Sequence, residues 1–153
     1  MFPKERKWDY KILSDLRLVV VYYHGSVSID DMIEFALFIS TQENYNKEYN
    51  QLIDFRESDV EINPKDIKKW IEFLKNNPRF IGYRKTAFLT AKPIDVVVAT
   101  LYREWKGNLP IDINDFSTLR AAIQWINFPF DVSEIISYTI DSLKQEFQCN
   151  NQF

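Results

Sequence analysis

A short apolar strand closing on an acid, an aromatic and a base, then a proline-started amphipathic helix, narrows the folds open to this chain more than any other feature. The strand is Leu52-Ile53-Asp54-Phe55, Arg56 follows it, and the helix begins at Asn63-Pro64. Asparagine can cap a helix, and proline at the first helical position has no amide to leave unpaired. Strand, loop and capped helix form the unit with which α/β sheets gather ligand groups at strand C-termini.

The rest of the chain repeats the unit. Trp8 to Leu13 and Leu16 to His24 are strand-like, and only Ser14-Asp15 separates them, which predicts a hairpin. Ser28 then caps a helix with Asp30 and Asp31 in its first turn and Met32, Phe35, Ala36 and Ile39 on its buried face. Ile67, Ile71 and Leu74 supply the core stripe of the helix after Pro64. Thr86 to Thr90 reads as a fourth strand, Pro93 to Trp105 as a helix burying Val97, Leu101 and Trp105, and Ile111 to Phe116 as a fifth strand. Ser117 is expected to cap a helix through Ala121, Ala122 and Trp125, and Ser133 to open a last helix reaching Phe147. The fold class is therefore α/β, with a mixed, mainly parallel five-stranded sheet covered by helices, an antiparallel N-terminal edge strand and an extra C-terminal helix. Val132, Ile136, Ile140, Leu143 and Phe147 give that last helix an unbroken apolar stripe. It either seals its own domain or packs across a twofold axis, with the balance tipped slightly toward a homodimer.

Composition bounds the function. At 153 residues and 46% hydrophobic, the chain suits one well-buried domain. A net charge of -3 with no basic block argues against nucleic acid as a partner. One cysteine, Cys149, excludes an intramolecular disulfide and a CxxC site and fits a reducing compartment. No apolar run approaches the length of a membrane span, and the charged start, Lys4 to Lys7, does not read as a signal peptide, so a cytoplasmic location is expected. Gly25, Gly82 and Gly107 never cluster, which removes a P-loop and a dinucleotide fingerprint. With one histidine and one cysteine far apart, neither a metal site nor a cofactor is expected.

The order of elements, with Asp54-Phe55-Arg56 closing the third strand, Arg84-Lys85-Thr86-Ala87 opening the fourth and Phe116 to Ile126 after the fifth, resembles the SpoIIAA-like branch of the STAS superfamily, the sulphate transporter and anti-sigma factor antagonist domains. The similarity runs from about Trp8 to Ile126, which sets a domain at 1–126 and a helical extension at 127–153. Classical members carry a serine at a helix start after the third strand that becomes phosphorylated, and that phosphate switches partner binding. Here the place holds Glu61-Ile62-Asn63-Pro64, with Ser58 several residues too early. The resemblance thus implies a binding or regulatory module without the switch, and some relatives are compared with lipid-binding SEC14 folds.

Six residues are candidates for a ligand or partner site: His24, Ser26, Asp54, Arg56, Lys92 and Asp115, all at or near the ends of predicted strands. Arg56, Arg84 and Lys92 lie at or near ends of neighbouring predicted elements, where an arginine with helix-end amides could hold a carboxylate or phosphate, Arg56 as the bidentate partner, although solvated surface charges are the more ordinary reading. The plainer reading has Asp54 pairing with Arg56 and His24 packing against neighbours. The leading expectation is a non-enzymatic module for a protein partner or a small, even apolar, ligand. Its alternative is an enzyme using Asp54 as acid or base with His24 assisting. A deep pocket around those two residues favours the enzyme, and an exposed apolar patch favours the module.

Overall fold

A computed structural model describes residues 5–150, so the outermost residues of the expected domain limits, and Lys4, lie outside it. The chain runs β1 (Trp8–Leu13), β2 (Leu18–Tyr23), β3 (Gly25–Val27), α1 (Ile29–Ile39), β4 (Asn50–Asp54), β5 (Ser58–Val60), α2 (Pro64–Lys75), β6 (Arg84–Leu89), α3 (Pro93–Trp105), β7 (Ile111–Phe116), α4 (Leu119–Ile126) and α5 (Ser133–Asn150). Five strands form one sheet in the order β1-β2-β4-β6-β7. Only β1 is antiparallel; β2, β4, β6 and β7 are mutually parallel. This is the mixed sheet that the alternation of strands and helices dictates.

Side chains alternate across the sheet, and each face has its own core. Val19, Val21, Ile53 and Phe88 pack under α1, α2 and α3. Leu18, Val20, Tyr22, Leu52, Ala87 and Leu89 pack under α4 and α5. The α5 stripe of Val132, Ile136, Ile140, Leu143 and Phe147 is buried against this second face, so it is covered by the chain's own sheet.

Four expectations need correction. The β1–β2 connection is longer than Ser14-Asp15: Ser14–Leu16 make a 3-10 turn and Arg17 adopts the left-handed region at φ 51°, which delays β2 to Leu18. The chain after Gly25 forms a second, two-stranded sheet, β3 with β5, whose three-residue strands carry too little pattern to be read. Helix α4 is capped by Thr118, whose hydroxyl accepts from the amide of Ala121, and not by the neighbouring Ser117. Helix α3 buries Asp95, Val98, Ala99 and Tyr102, while Val97 (48%) and Trp105 (39%) face outward and Leu101 is half-buried.

Candidate functional site

Because β2, β4, β6 and β7 run parallel, the chain after each of them emerges on one side, and that rim collects most of the residues singled out in the sequence. Gly25, at φ 77°, turns the chain out of β2 into β3, and the β3–β5 pair projects from the rim with Ser26 opposite Asp59.

On the α5 side lies a closed polar cluster. Tyr22 and Asp54 are partners across β2 and β4. Asp54 is 1% exposed and accepts from Arg56 three times: from the backbone amide and Nε through Oδ1 (both 3.0 Å) and from Nη2 through Oδ2 (2.9 Å). This hydrogen bonding raises the Arg56 pKa above its ordinary value, so the guanidinium stays charged. Glu57 continues the cluster. Its Oε2 accepts from the Tyr22 hydroxyl at 2.6 Å and its Oε1 meets Lys144 Nζ of α5 at 2.8 Å. The Lys144 and Tyr22 hydrogen bonds hold the Glu57 carboxyl below its usual range, while burial, reinforced by the bond to Glu57, pushes the Tyr22 hydroxyl up. The His24 ring sits 5.0 Å from Phe147 and 6.4 Å from Tyr22, centroid to centroid. The structure therefore joins His24, Asp54 and Arg56 and adds Tyr22, Glu57 and Lys144.

The other three candidates lie apart from these. Lys92 Nζ donates to the Ser58 carbonyl and stands 3.6 Å from Asp59, next to Ser26 on the β3–β5 pair. Asp115, on the edge strand β7, meets Arg103 of α3 at 3.4 Å. Ser58 is itself buried, and its hydroxyl donates to the carbonyl of Phe55 at 2.8 Å.

Three helix starts at this rim, those of α1, α2 and α3, are closed by the chain's own carboxylates, while α4 is capped by the Thr118 hydroxyl with no acid in its first turn. Asp31 accepts from the Ser28 amide, Asp66 from the Asn63 amide, and Asp95 from the amides of Ala91 and Lys92. Each aspartate lies at the third helical position, where it satisfies an amide and opposes the dipole. An incoming anion would compete with a fixed negative charge at all three. Among the described residues no group of three His, Cys, Asp or Glu side chains is placed to hold a metal ion, and no helix is long and apolar enough to cross a membrane.

Sequence reasoning missed Glu57 and Lys144. Both belong to charged, surface-like stretches, and nothing local announces that α5 folds back across the end of β4. The Asp54–Arg56 pair, two residues apart, was visible because its geometry is local.

Comparison with known proteins leaves the fold as the firm finding. No protein-family model matches the chain, and no curated protein does. Among solved structures, an uncharacterised protein of the DUF3478 family with a SpoIIAA-like fold, from Shewanella loihica PV-4, superposes with a TM-score of 0.53 at 12% identity, covering 83% of this chain and 99% of its own. The chain thus has a SpoIIAA-like α/β fold, as the order of its elements suggested.

Proposed function

We propose that this chain is a non-enzymatic binding or regulatory module of the STAS type, acting in the cytoplasm through recognition of a protein partner. The observation that carries the reading is the double-faced helix α3. Its inner face buries Val98, Ala99 and Tyr102, with half-buried Leu101 packed at its edge, and Ile94, Val97 and Trp105 form a second apolar row on the outside, with Val96 beside it. A lone exposed apolar residue is ordinary, but a row along one helix is the form in which proteins keep a surface for a partner.

The enzyme reading asks for a carboxylate open to a substrate. Asp54 is sealed, and both its oxygens are engaged by Arg56. The inward bond of Ser58 favours a module without a phosphoswitch. Native mass spectrometry of protein purified from its own host tests the proposal. A partner chain should be retained by the native protein and lost from Val97→Glu with the fold intact. Retention unaffected by that substitution, stoichiometric phosphate on Ser58, or a turnover that disappears in Asp54→Asn would each overturn it.

A further inference from the structure

The sheet face beneath α2 and α3 carries a buried polar layer at the opposite end of the strands. Arg84 opens β6 and is 6% exposed; Thr86 lies two residues on, and Gln51 of β4 is the cross-strand partner of Thr86. By alternation all three share the face of Ile53 and Phe88. Arg84 Nη1 donates to the carbonyls of Phe80 (2.6 Å) and Lys47 (3.1 Å), and its guanidinium carbon lies 4.5 Å from the Phe80 ring centroid. These partners are all uncharged. Among the described residues no carboxylate stands within ion-pair distance of Arg84.

The layer also has a surplus of donors. Arg84 Nε, Gln51 Nε2 and the Thr86 hydroxyl have no hydrogen bond to the chain, while the Trp70 indole N–H is directed at the Tyr102 hydroxyl. The Tyr45 hydroxyl faces the guanidinium without a well-formed bond to it. Burial raises the pKa of Tyr45 and pushes Tyr102 up to about 12, so both phenols remain protonated. Buried polar groups are normally paired and buried charges normally matched, so what this layer lacks is an acceptor that carries negative charge.

A groove lies on the far side of the buried Phe80 ring. Phe80, which lies against the guanidinium, lines this groove of about 260 Å³ between the C-terminal ends of α1 and α2, together with Leu37, Thr41, Phe73 and Arg79. Phe80 belongs to the segment 76–83, which is neither helix nor strand. We propose that this layer and groove form a site for a small organic acid, whose carboxylate pairs with Arg84 and accepts from the Tyr45 hydroxyl while its apolar body lies in the groove beside a displaced Phe80. The groove falls below the volume of about 300 to 1,000 Å³ typical of drug-sized sites, so the body is one ring or a short chain. This site is separate from the outer face of α3, and either can fail without the other.

The test uses the full chain with phenylacetate and hexanoate as probes and phenylacetamide and 1-hexanol as their uncharged counterparts, followed by calorimetry and by NMR of the arginine Nε–H signals. The acids should bind saturably, shift the Arg84 signal, and exceed the uncharged probes at least tenfold in affinity. Leu37→Glu places a negative charge at an exposed groove position and should weaken the acids several-fold while the protein stays folded. Arg84→Lys removes the planar fork and should cost at least tenfold; should that variant not fold, Leu37→Glu and the Arg84 signal decide. Acids that bind no better than the uncharged probes, shifts centred on Arg56 or Lys92, or no binding at millimolar concentration would refute the site.

Discussion

The two ends of the parallel strands handle charge in opposite ways. At the C-terminal rim every cation discussed above has found an anion or a carbonyl: Arg56 with Asp54, Lys144 with Glu57, Lys92 with the Ser58 carbonyl and Asp59, Arg103 with Asp115. Toward the N-terminal end, under α2 and α3, Arg84 sits deeper than any of these; its hydrogen bonds go to backbone carbonyls, and Glu48 acts on it through space without an ion pair. The contrast teaches that the place where topology collects unpaired amides is not necessarily where binding capacity remains. In this chain three of the rim's helix starts have been closed by aspartates, and its charges hold the structure together. An unmatched charge in a donor-rich layer is the stronger sign of something that arrives from outside.

The contrast can be broken experimentally, beginning with its most stabilising pair. Asp54→Ala leaves a half-buried Arg56 without its partner and should cost about 3 kcal/mol in urea unfolding, because removing one member of a buried pair strands the other. The double substitution Asp54→Leu, Arg56→Met should recover most of that loss. If the single change is neutral, the rim is not held by its charges and the comparison fails.

At the other end, Gly82→Ala should cost about 2 kcal/mol, since a Cβ there would come 2.4 Å from the Lys47 carbonyl oxygen, an acceptor of Arg84. Thermal unfolding reads this directly. A neutral result would mean that the loop carrying that carbonyl moves freely and that the Arg84 layer is not preformed.

The Glu57 triad should produce a smaller, pH-dependent effect. Its carboxyl is held below the ordinary range, so its contribution is present above the unfolded-state pKa and is lost as pH falls through the lower folded-state value. Glu57→Gln should therefore lose under about 1 kcal/mol at neutral pH, given the exposure of the pair, and differ less from the native protein as pH falls through the carboxylate range. Stability curves measured at several pH values decide it; a gap that widens toward acid would contradict the assignment. Least of all, Val97→Glu on the outer face of α3 should change stability by no more than about 0.5 kcal/mol, so any partner it sheds is shed for reasons of surface.

How far the sequence could be read follows from the range of the interactions involved. The order of the main strands and helices along the chain, the caps at Ser28 and Asn63, and the stripe of α5 rest on local pattern, and all are present. Helix α3 was misread because Val96-Val97-Val98-Ala99 supplies two apolar rows at once, and only packing against β7 and α2 selects the inner one. The pair β3–β5 escaped notice because three-residue strands leave almost no periodicity. The Arg84 layer was out of reach for another reason. An arginine at a strand start looks solvated in sequence, and its burial is made by Tyr45, Phe80 and Tyr102 arriving from three separate segments.

The covering of the second sheet face by α5 has a consequence in time. Leu18, Val20 and Tyr22 are synthesised well before the residues that shield them, Ile136 to Phe147. At synthesis rates of about 5 to 20 residues per second, the 18 residues of α5 take roughly 1 to 4 s to appear. Until α5 is complete the nascent chain carries an open apolar sheet surface, so this face closes only after α5 has been made.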